Sequence, residues 1–231
     1  MDPAIPIETI AAQANLMGAS LVGATPVAPL LESPCQQLLP VSRQLLKARS
    51  VVVLGLAHTE GQPERDWWDN QKGRTPGNRQ LTKISHRLAN WLKKTFSAEA
   101  CDLPYNPGRG GIFLKDAAVL AGLGVVGKNN LLITPQYGPR VRLRASLLNR
   151  PIQYKRVLDD FAPCDACDGP CVQACPQNAF QEGNYQRKRC QRQMQKDETN
   201  PIIRQSPVVG MPADFRIAYC RRCELFCPVG Q

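Results

Sequence analysis

The sequence predicts an α/β sandwich domain followed by a small cysteine-rich domain. Strands alternate with amphipathic helices before residue 150, whereas eight of the 10 cysteines fall within the last 68 residues. A chain of 231 residues is long enough for one large domain or two small ones. We therefore predict domains over residues 1–155 and 156–231, with the boundary between residues 150 and 160.

Hydrophobic periodicity assigns the elements of the first domain. Apolar residues spaced as on one face predict helices, and a short β-branched run predicts a buried strand. In chain order, the predicted elements are a helix at 7–18, a strand at 50–57, helices at 79–97 and 113–121, and strands at 130–134 and 140–148. Residues 59–78 are polar and rich in Gly and Pro, so we expect a long loop there.

Composition excludes several classes of protein. With 43% hydrophobic and 21% charged residues, the chain reads as globular and not as intrinsically disordered. The longest apolar run, residues 51–57, is too short to span a bilayer, and no secretory signal opens the chain. We therefore expect a cytoplasmic protein with no membrane partner, whose thiols are reduced and available to metal.

The cysteines of the second domain form two runs and one isolated residue. The first run is Cys164-x2-Cys167-x3-Cys171-x3-Cys175-Pro176, the second is Cys220-x2-Cys223-x3-Cys227-Pro228, and Cys190 lies between them. A run that ends in Cys-Pro is typical of bacterial ferredoxins with two [4Fe–4S] clusters. CxxC pairs also suit zinc, but two runs of this kind with no nearby His favour the clusters.

Bacterial ferredoxins also predict how the ligands divide, because the fourth Cys of a run ligates the other cluster. The first cluster would take Cys164, Cys167, Cys171 and Cys227, and the second would take Cys175, Cys190, Cys220 and Cys223. Three residues separate Cys167 from Cys171 where the ferredoxin run has two, so we expect a bulge within 168–170. Cys35 and Cys101 are expected to be buried thiols.

Residues 122–127 match GxGxxG, but a predicted helix precedes them and a strand follows, which is the reverse of the nucleotide-binding context. The longer stretch FLKDAAVLAGLGVVGKNNLLIT, residues 113–134, instead resembles the epoxyqueuosine reductases and, more distantly, the reductive dehalogenases. The cysteine runs resemble the same family in type and order. The resembling blocks cover residues 113–148 and 164–228.

The resemblance implies an α+β protein: a nitroreductase-like α/β sandwich domain that carries cobalamin, followed by a ferredoxin-like domain with two [4Fe–4S] clusters. In the family, a low-potential donor such as reduced ferredoxin or flavodoxin supplies the electrons. By position, the residues that would border the corrinoid are Gly127, Lys128, Leu132 and Thr134. Flavin is the second cofactor candidate, although no flavin motif is present.

Two departures from the family concern catalysis. The Arg-Asp-Tyr-His-like motif of the reductases is replaced here by GRTPGNRQ, residues 73–80. The place of the family's proton-donating Asp is occupied by residues 105–108, so Tyr105 or Asp102 is our candidate proton donor. The longer reductases continue into helical repeats beyond the position of Gln231, and we therefore expect a short, divergent paralogue.

Charge adds a further candidate site. Residues 1–150 carry 18 Lys and Arg against 10 Asp and Glu, and residues 151–231 carry 11 against 9. Because thiolate-bound clusters are negatively charged, we expect the basic surface on the first domain. Strand alternation places Arg140, Arg142 and Arg144 on one face, where they would bind tRNA, another anionic substrate or a cofactor phosphate, or simply face solvent.

The sequence thus predicts an iron–sulfur oxidoreductase similar to epoxyqueuosine reductase, which passes electrons through two clusters to a cofactor or substrate. Two alternatives stay open. One is a ferredoxin-type electron carrier without its own active site, and the other is a cluster-stabilised RNA-binding module.

Overall fold

The fold is described from a computed structural model that covers residues 3–58, 61–69, 74–154, 158, 160–204 and 214–231. Its helices are α1 (Ile7–Leu16), α2 (Val27–Leu31), α3 (Arg43–Lys47), α4 (Pro76–Phe96), α5 (Leu114–Leu120), α6 (Pro170–Gln173), α7 (Arg187–Glu198) and α8 (Arg222–Leu225). Its strands are β1 (Ile5–Pro6), β2 (Leu21–Pro26), β3 (Ser50–Ala57), β4 (Trp68–Asp69), β5 (Ala100–Asp102), β6 (Val125–Val126), β7 (Leu132–Ile133), β8 (Val141–Leu148), β9 (Ile152–Gln153), β10 (Ile202–Arg204) and β11 (Asp214–Ile217).

The strongly periodic segments fold as predicted. The helices expected at 7–18, 79–97 and 113–121 are α1, α4 and α5, and the strands expected at 50–57 and 140–148 are β3 and β8. The strand expected at 130–134 shrinks to the two residues of β7. The predicted loop also contains a short 3₁₀ turn and β4.

The chain divides into two compact units, each assembled from separate segments. Unit 1 comprises residues 1–57, 81–126 and 141–162. Unit 2 comprises residues 58–80, 127–140 and 163–231, so two earlier segments join the cysteine-rich tail. The predicted boundary at 155/156 falls outside the described residues and stays a prediction.

Unit 1 is built on an antiparallel sheet of four strands in the order β2-β3-β8-β5. β3 lies inside the sheet, and its residues 50–56 are all buried, which explains why its sequence is a continuous apolar run rather than an alternating one. It pairs with β8 over its whole length, from Ser50 opposite Leu148 to Ala57 opposite Val141. The result is the mixed α/β architecture that the sequence predicts.

The core of unit 1 lies between this sheet and the apolar face of α4. Four α4 residues at helical spacing are at most 2% exposed: Leu81, Ile84, Leu88 and Leu92. They belong to one apolar cluster with Val52, Leu54 and Leu56 of β3. A residue every three or four positions meets the same neighbour, so the periodicity that predicts α4 also determines which face is buried.

Unit 2 has smaller elements and fewer buried apolar side chains. β10, β11 and β4 form a three-stranded antiparallel sheet, and α6 and α8 are four residues long. In the part of unit 2 that the structure describes, the buried apolar or sulfur side chains are Leu132, Ile133, Cys171, Ala179, Phe180 and Cys227. So small a core gives little hydrophobic stabilisation, a situation in which metal ligation usually contributes to folding.

The expectation that Cys35 and Cys101 are buried is wrong, because both are exposed. Cys35 lies between α2 and α3, and Cys101 is the middle residue of β5, whose pairing with β8 is limited to three residues. A short strand at the edge of a sheet leaves side chains open to solvent. Neither thiol therefore contributes to the apolar cores.

We predict that Leu88→Ala lowers the free energy of unfolding by about 2–5 kcal/mol, because it leaves a cavity in the apolar cluster. Urea unfolding followed by far-UV circular dichroism measures the loss. Leu16→Ala is the matched control: Leu16 is 83% exposed, and its truncation should change the stability by less than about 0.5 kcal/mol. Equal losses in the two variants would contradict this description of the core.

Candidate functional site

Eight cysteines lie in unit 2 on short helices and the turns beside them. Cys171 belongs to α6, Cys190 to α7 and Cys223 to α8. The other five lie on adjoining connections: Cys164, Cys167, Cys175, Cys220 and Cys227. All eight are free thiols.

The thiols of Cys164, Cys167, Cys171 and Cys227 form the first cysteine set. Burial raises the pKa of Cys171, and the nearby thiols of Cys227, Cys164 and Cys167 raise it further. Burial also raises the pKa of Cys227, with Cys164 and Cys167 adding to the effect. Because a negative charge disfavours a second one nearby, these shifts indicate that the four thiols influence one another electrostatically.

The thiols of Cys175, Cys190, Cys220 and Cys223 form the second cysteine set. Burial, followed by the charges of Cys220, Cys190, Glu224 and Cys175, raises the pKa of Cys223 to about 12. Burial likewise raises the pKa of Cys220, and Cys175 and Cys190 are among its electrostatic neighbours. Each set contains the four thiols that the cysteine spacing assigns to one cluster. Four thiols are the donor set that a [4Fe–4S] cluster requires, so the residues fit this group.

Within the part of the chain that the structure describes, no three His, Cys, Asp or Glu side chains are close enough to hold a single metal ion.

A left-handed glycine accommodates the extra residue of the first run. Gly169 has φ +72° and immediately precedes α6, whose first residue is Pro170. Glycine adopts positive φ without steric cost, and proline is well suited to the first position of a helix. The chain can therefore turn between Cys167 and Cys171 and still place Cys171 in the first cysteine set. This is the bulge expected within 168–170.

Residues 127–140 support both cysteine sets through side chains that donate to backbone carbonyls. Lys128 Nζ donates to the carbonyl oxygen of Cys167 at 2.9 Å. Asn129 is 2% exposed, and its Nδ2 donates to the carbonyl oxygen of Cys223 at 2.9 Å. One contact reaches a residue of the first set and the other a residue of the second. We call residues 127–140 the support segment.

Arg140 makes the largest group of contacts from the support segment. Its side chain is buried, and Nη1 donates to the carbonyls of Cys227 at 3.2 Å and Glu224 at 3.4 Å. Nη2 donates to the carbonyl of Val229 at 2.9 Å. The Glu224 carbonyl lies in the last turn of α8, and the carbonyls of Cys227 and Val229 follow it. The last carbonyls of a helix have no partner within the helix, so they need donors from elsewhere. Gly138 has φ +54°, and a Cβ there would lie 1.9 Å from the same Val229 oxygen, so this approach requires glycine.

The row of three arginines does not lie on a solvated face. Arg140 and Arg144 are 5% and 7% exposed, so that alternative is wrong for these two residues. Arg142 and Arg144 belong to β8 in unit 1, and Arg142 is half-buried. The guanidinium of Arg140 is used within unit 2, a role that sequence reasoning missed because its partners lie 84–89 residues later. Anion binding by the three arginines stays a prediction.

A buried group of charges, also missed by sequence reasoning, lies beside the second cysteine set. His58 Nδ1 is 2.7 Å from Glu224 Oε1 and 3.3 Å from Asp66 Oδ2, and Arg221 pairs with both carboxylates. Burial alone would raise the pKa of Glu224, but hydrogen bonds with His58 and Arg221 outweigh burial and lower it to about 2. The only sequence signal was a His directly after a buried strand. This group joins residues 58–69 to α8 within unit 2.

The candidate proton donors lie in unit 1. Asp102 is the last residue of β5; its Oδ1 accepts hydrogen bonds from Ser85 and, at 2.6 Å, from Ser146, and its Oδ2 lies 2.8 Å from His86 Nε2. Tyr105 follows on the next turn and is 66% exposed. Sequence reasoning did not find the three partners of Asp102. Ser85 and His86 lie on α4, and Ser146 lies on β8, the strand that pairs with β5.

The four residues expected at the corrinoid make internal contacts in unit 2. Leu132 and Thr134 are 3% and 0% exposed, and Thr134 Oγ1 donates to the Gly138 carbonyl. Lys128 is exposed, but its ammonium donates to the backbone carbonyl of Cys167, and the N–H of Gly127 donates to the carbonyl of Leu131. The described contacts therefore do not form a side-chain cradle for cobalamin. Their assignment to the cofactor stays a prediction.

Comparison with known proteins extends the resemblance seen in the sequence. No protein-family profile matches the chain. An epoxyqueuosine reductase of Listeria monocytogenes is 33% identical over 118 residues, 50% of this chain and 29% of that protein. One of Lactococcus garvieae is 27% identical over 195 residues, 78% of this chain and 52% of that protein. The chain is a homologue of the epoxyqueuosine reductases. Tetrachloroethene reductive dehalogenase of Sulfurospirillum multivorans is a more distant relative, 37% identical over 70 residues, 29% of this chain and 13% of that protein.

Solved structures of epoxyqueuosine reductases and reductive dehalogenases share the fold of this homologue. An epoxyqueuosine reductase from Bacillus subtilis matches with a TM-score of 0.65 and 19% identity, over 97% of this chain and 65% of that one. A catabolic reductive dehalogenase bound to 3-bromo-4-hydroxybenzoic acid matches with a TM-score of 0.69 and 19% identity, over 97% of this chain and 32% of that one. An epoxyqueuosine reductase in complex with an epoxyqueuosine-modified tRNA stem loop matches with a TM-score of 0.59 and 21% identity, over 79% of this chain and 55% of that one. The chain thus spans only part of these proteins.

Among the helices that the structure describes, none has the length and apolar character needed to cross a membrane.

We predict that Arg140→Met destabilises unit 2, because it leaves the carbonyls of Glu224, Cys227 and Val229 without their buried donor. Hydrogen bonds to a charged group contribute about 1.5–3 kcal/mol each, so we expect a loss of at least about 3 kcal/mol in urea unfolding. Lys47→Met removes a charge from the exposed surface of α3 and should leave the stability within about 0.5 kcal/mol. A loss below about 1 kcal/mol for Arg140→Met would contradict the assigned role.

Proposed function

We propose that this chain is an iron–sulfur oxidoreductase of the epoxyqueuosine reductase type, with two [4Fe–4S] clusters that pass electrons to a cofactor or substrate. One observation carries the proposal: eight cysteines of unit 2 fall into two sets of four thiols that interact electrostatically, the same sets that the cysteine spacing predicts. The relatives are named as reductases, which supports the same reaction class.

The ligands of the proposed clusters are the two cysteine sets, which together form the ferredoxin-like part of the protein. When bound, a [4Fe–4S] cluster supplies one-electron transfer at a potential that depends on nearby charge and hydrogen bonding. Lys128 and Arg140 place positive charge on backbone carbonyls of Cys167 and Cys227, both in the first set. Asn129 places a neutral donor on Cys223 of the second set. Each of these donors would stabilise additional negative charge on the cluster that it faces.

Cobalamin is the cofactor we propose for the reductase reaction, with flavin as the second candidate. One structural relative is described as suggesting a mechanism for B12-dependent dehalogenation, which supports cobalamin. Leu132 and Thr134 are buried and Lys128 donates to the Cys167 carbonyl, so these side chains are used within unit 2. The same contacts favour a second candidate function, a ferredoxin-type electron carrier that delivers electrons to a partner enzyme.

The proposed substrate is a modified tRNA. A structural relative was solved with an epoxyqueuosine-modified tRNA stem loop, and this chain carries a formal charge of +10. A basic protein attracts the phosphates of nucleic acid. An electron donor such as reduced ferredoxin or flavodoxin would complete the reaction.

Tyr105 and Asp102 divide the proposed proton-transfer role unequally. Both carboxylate oxygens of Asp102 are engaged inside unit 1, because Oδ1 accepts hydrogen bonds from Ser85 and Ser146 and Oδ2 lies 2.8 Å from His86 Nε2. A carboxyl group held in this way serves better to orient the exposed imidazole of His86 than to deliver a proton to a substrate. The exposed phenol of Tyr105 is left as the proposed donor.

We predict about eight irons per chain after anaerobic purification, and about four in Cys171→Ser or Cys223→Ser, because each variant removes one ligand from one set of four. Iron analysis measures the content, and the electron paramagnetic resonance signal of the reduced protein identifies the cluster that is lost. Cys101→Ser is the control and should keep about eight irons, since Cys101 is an exposed thiol outside both sets.

Zinc in place of iron would overturn the proposal. About one cobalt retained after incubation with cobalamin and desalting would support the reductase. Iron without cobalt would favour the electron carrier or a flavin enzyme.

We predict that Tyr105→Phe lowers kcat for reduction of an epoxyqueuosine-containing tRNA stem loop by about 10²-fold or more, because it removes a proton donor. KM should be unchanged. Tyr154→Phe is the control, because Tyr154 is also an exposed tyrosine of unit 1. If Asp102→Asn abolished the reaction and Tyr105→Phe did not, the roles of the two residues would have to be exchanged.

A further inference from the structure

Helix α7 presents a row of exposed positive charges in unit 2. Lys188, Arg192 and Lys196 are four residues apart, so they lie on one face of the helix, and all three are exposed. We call these three residues the α7 basic face. The expectation that the basic surface belongs to the first domain is therefore incomplete.

The acidic residues of α7 are engaged elsewhere and do not form this face. Asp197 accepts hydrogen bonds from the backbone N–H of Cys220 at 2.8 Å and from Gln193 at 2.9 Å. Glu198 accepts one from the hydroxyl of Tyr219 at 2.9 Å. The negative charges of the helix are thus used to attach it to residues 219–220, and the basic residues project to solvent.

Helix stability does not explain the basic residues in the first two turns of α7. The helix has no buried residue, and its first three residues, 187–189, are all basic. Positive charge at the N-terminus opposes the helix dipole, whereas Lys196 in the last turn suits it. Arg189 is used within unit 2, where it donates to the carbonyl of Asn178. The exposed Lys188 works against its own helix, which indicates a role outside the helix.

The position of Cys190 indicates what that role is. Cys190 belongs to the second cysteine set and lies between Lys188 and Arg192 in the sequence of α7. An α-helix with its side chains is about 10–12 Å across, so a protein bound to the α7 basic face lies within roughly that distance of Cys190.

We propose that the α7 basic face is the docking surface for a small acidic protein that carries one electron. The proposal rests on the iron–sulfur function proposed above. On docking, the carrier would lose one electron and be oxidised, and the [4Fe–4S] cluster proposed for the second cysteine set would gain that electron and be reduced; no bond is formed or broken. RNA would also be attracted by positive charge, but nothing in RNA recognition requires a cluster ligand within the same helix.

The test is the affinity of the anaerobically purified full chain for an acidic bacterial flavodoxin, measured by isothermal titration calorimetry. Exposed charges are screened over about 10 Å at 0.1 M salt, so binding should weaken steadily between about 0.05 and 0.3 M. The triple variant Lys188→Glu, Arg192→Glu and Lys196→Glu should bind at least about tenfold more weakly. The single variant Arg192→Gln should show a smaller loss of affinity for flavodoxin, and it replaces the triple variant in the test if the triple variant does not fold.

The matched control reverses three exposed charges on α4 of unit 1 through Lys83→Glu, Arg87→Glu and Lys94→Glu. It should bind flavodoxin within about twofold of the unaltered chain. Equal weakening in both triple variants would overturn the proposal, as would binding that does not respond to salt. Loss of affinity for a tRNA stem loop with unchanged flavodoxin binding would assign the face to RNA instead. Iron analysis of the same samples separates these outcomes from failure of the iron–sulfur function, which would appear as a protein without iron.

Discussion

The buried guanidinium of Arg140 donates to the carbonyls of Glu224, Cys227 and Val229, and the path of the last cysteine run depends on this contact. Cys227 is the one member of the first cysteine set that comes from the second run, so the set is incomplete unless residues 224–229 are held in place. Lys128 and Asn129 act in the same way on Cys167 and Cys223. The stretch Gly-Lys-Asn that resembles the reductases thus supports the cysteine loops through backbone contacts.

Unit 2 relies on polar contacts because it has few apolar ones. Unit 1 buries Leu81, Leu88 and their neighbours against a four-stranded sheet, which is the usual source of stability for a domain. In unit 2 the buried charges of His58, Asp66, Arg221 and Glu224 take a comparable place. Removing one member of such a group leaves an unpaired buried charge, so it is costly to alter one residue at a time. Specific polar contacts hold the cysteines in place, and hydrophobic packing contributes little there.

Local sequence predicted the elements that local physics determines. The apolar run at β3, the helical period of α4 and the two cysteine runs are all visible within 25 residues of sequence, and each predicted structure follows from one rule. β2 was missed because Gly23 and Pro26 lower its strand propensity. Its backbone hydrogen bonds with β3 stabilise the strand in spite of this low propensity. The contacts of Arg140 with Cys227, of His58 with Glu224 and of Asp102 with Ser146 were missed because these partners lie 44–166 residues away. A charged residue shows in sequence that it needs a partner, but not which one.

Unit 2 is assembled from three stretches of chain that are separated in sequence, and this affects how the protein is made and how it can be divided. The contact between Arg140 and Val229 closes a span of 89 residues, a step that costs entropy and cannot occur until residue 229 has left the ribosome. The cysteine-rich tail therefore differs from a freestanding ferredoxin, which can be cut out and fused to another enzyme. A fragment that begins at residue 156 would leave Lys128, Asn129 and Arg140 behind. Recombination that exchanges such tails between relatives would have to exchange the support segment as well.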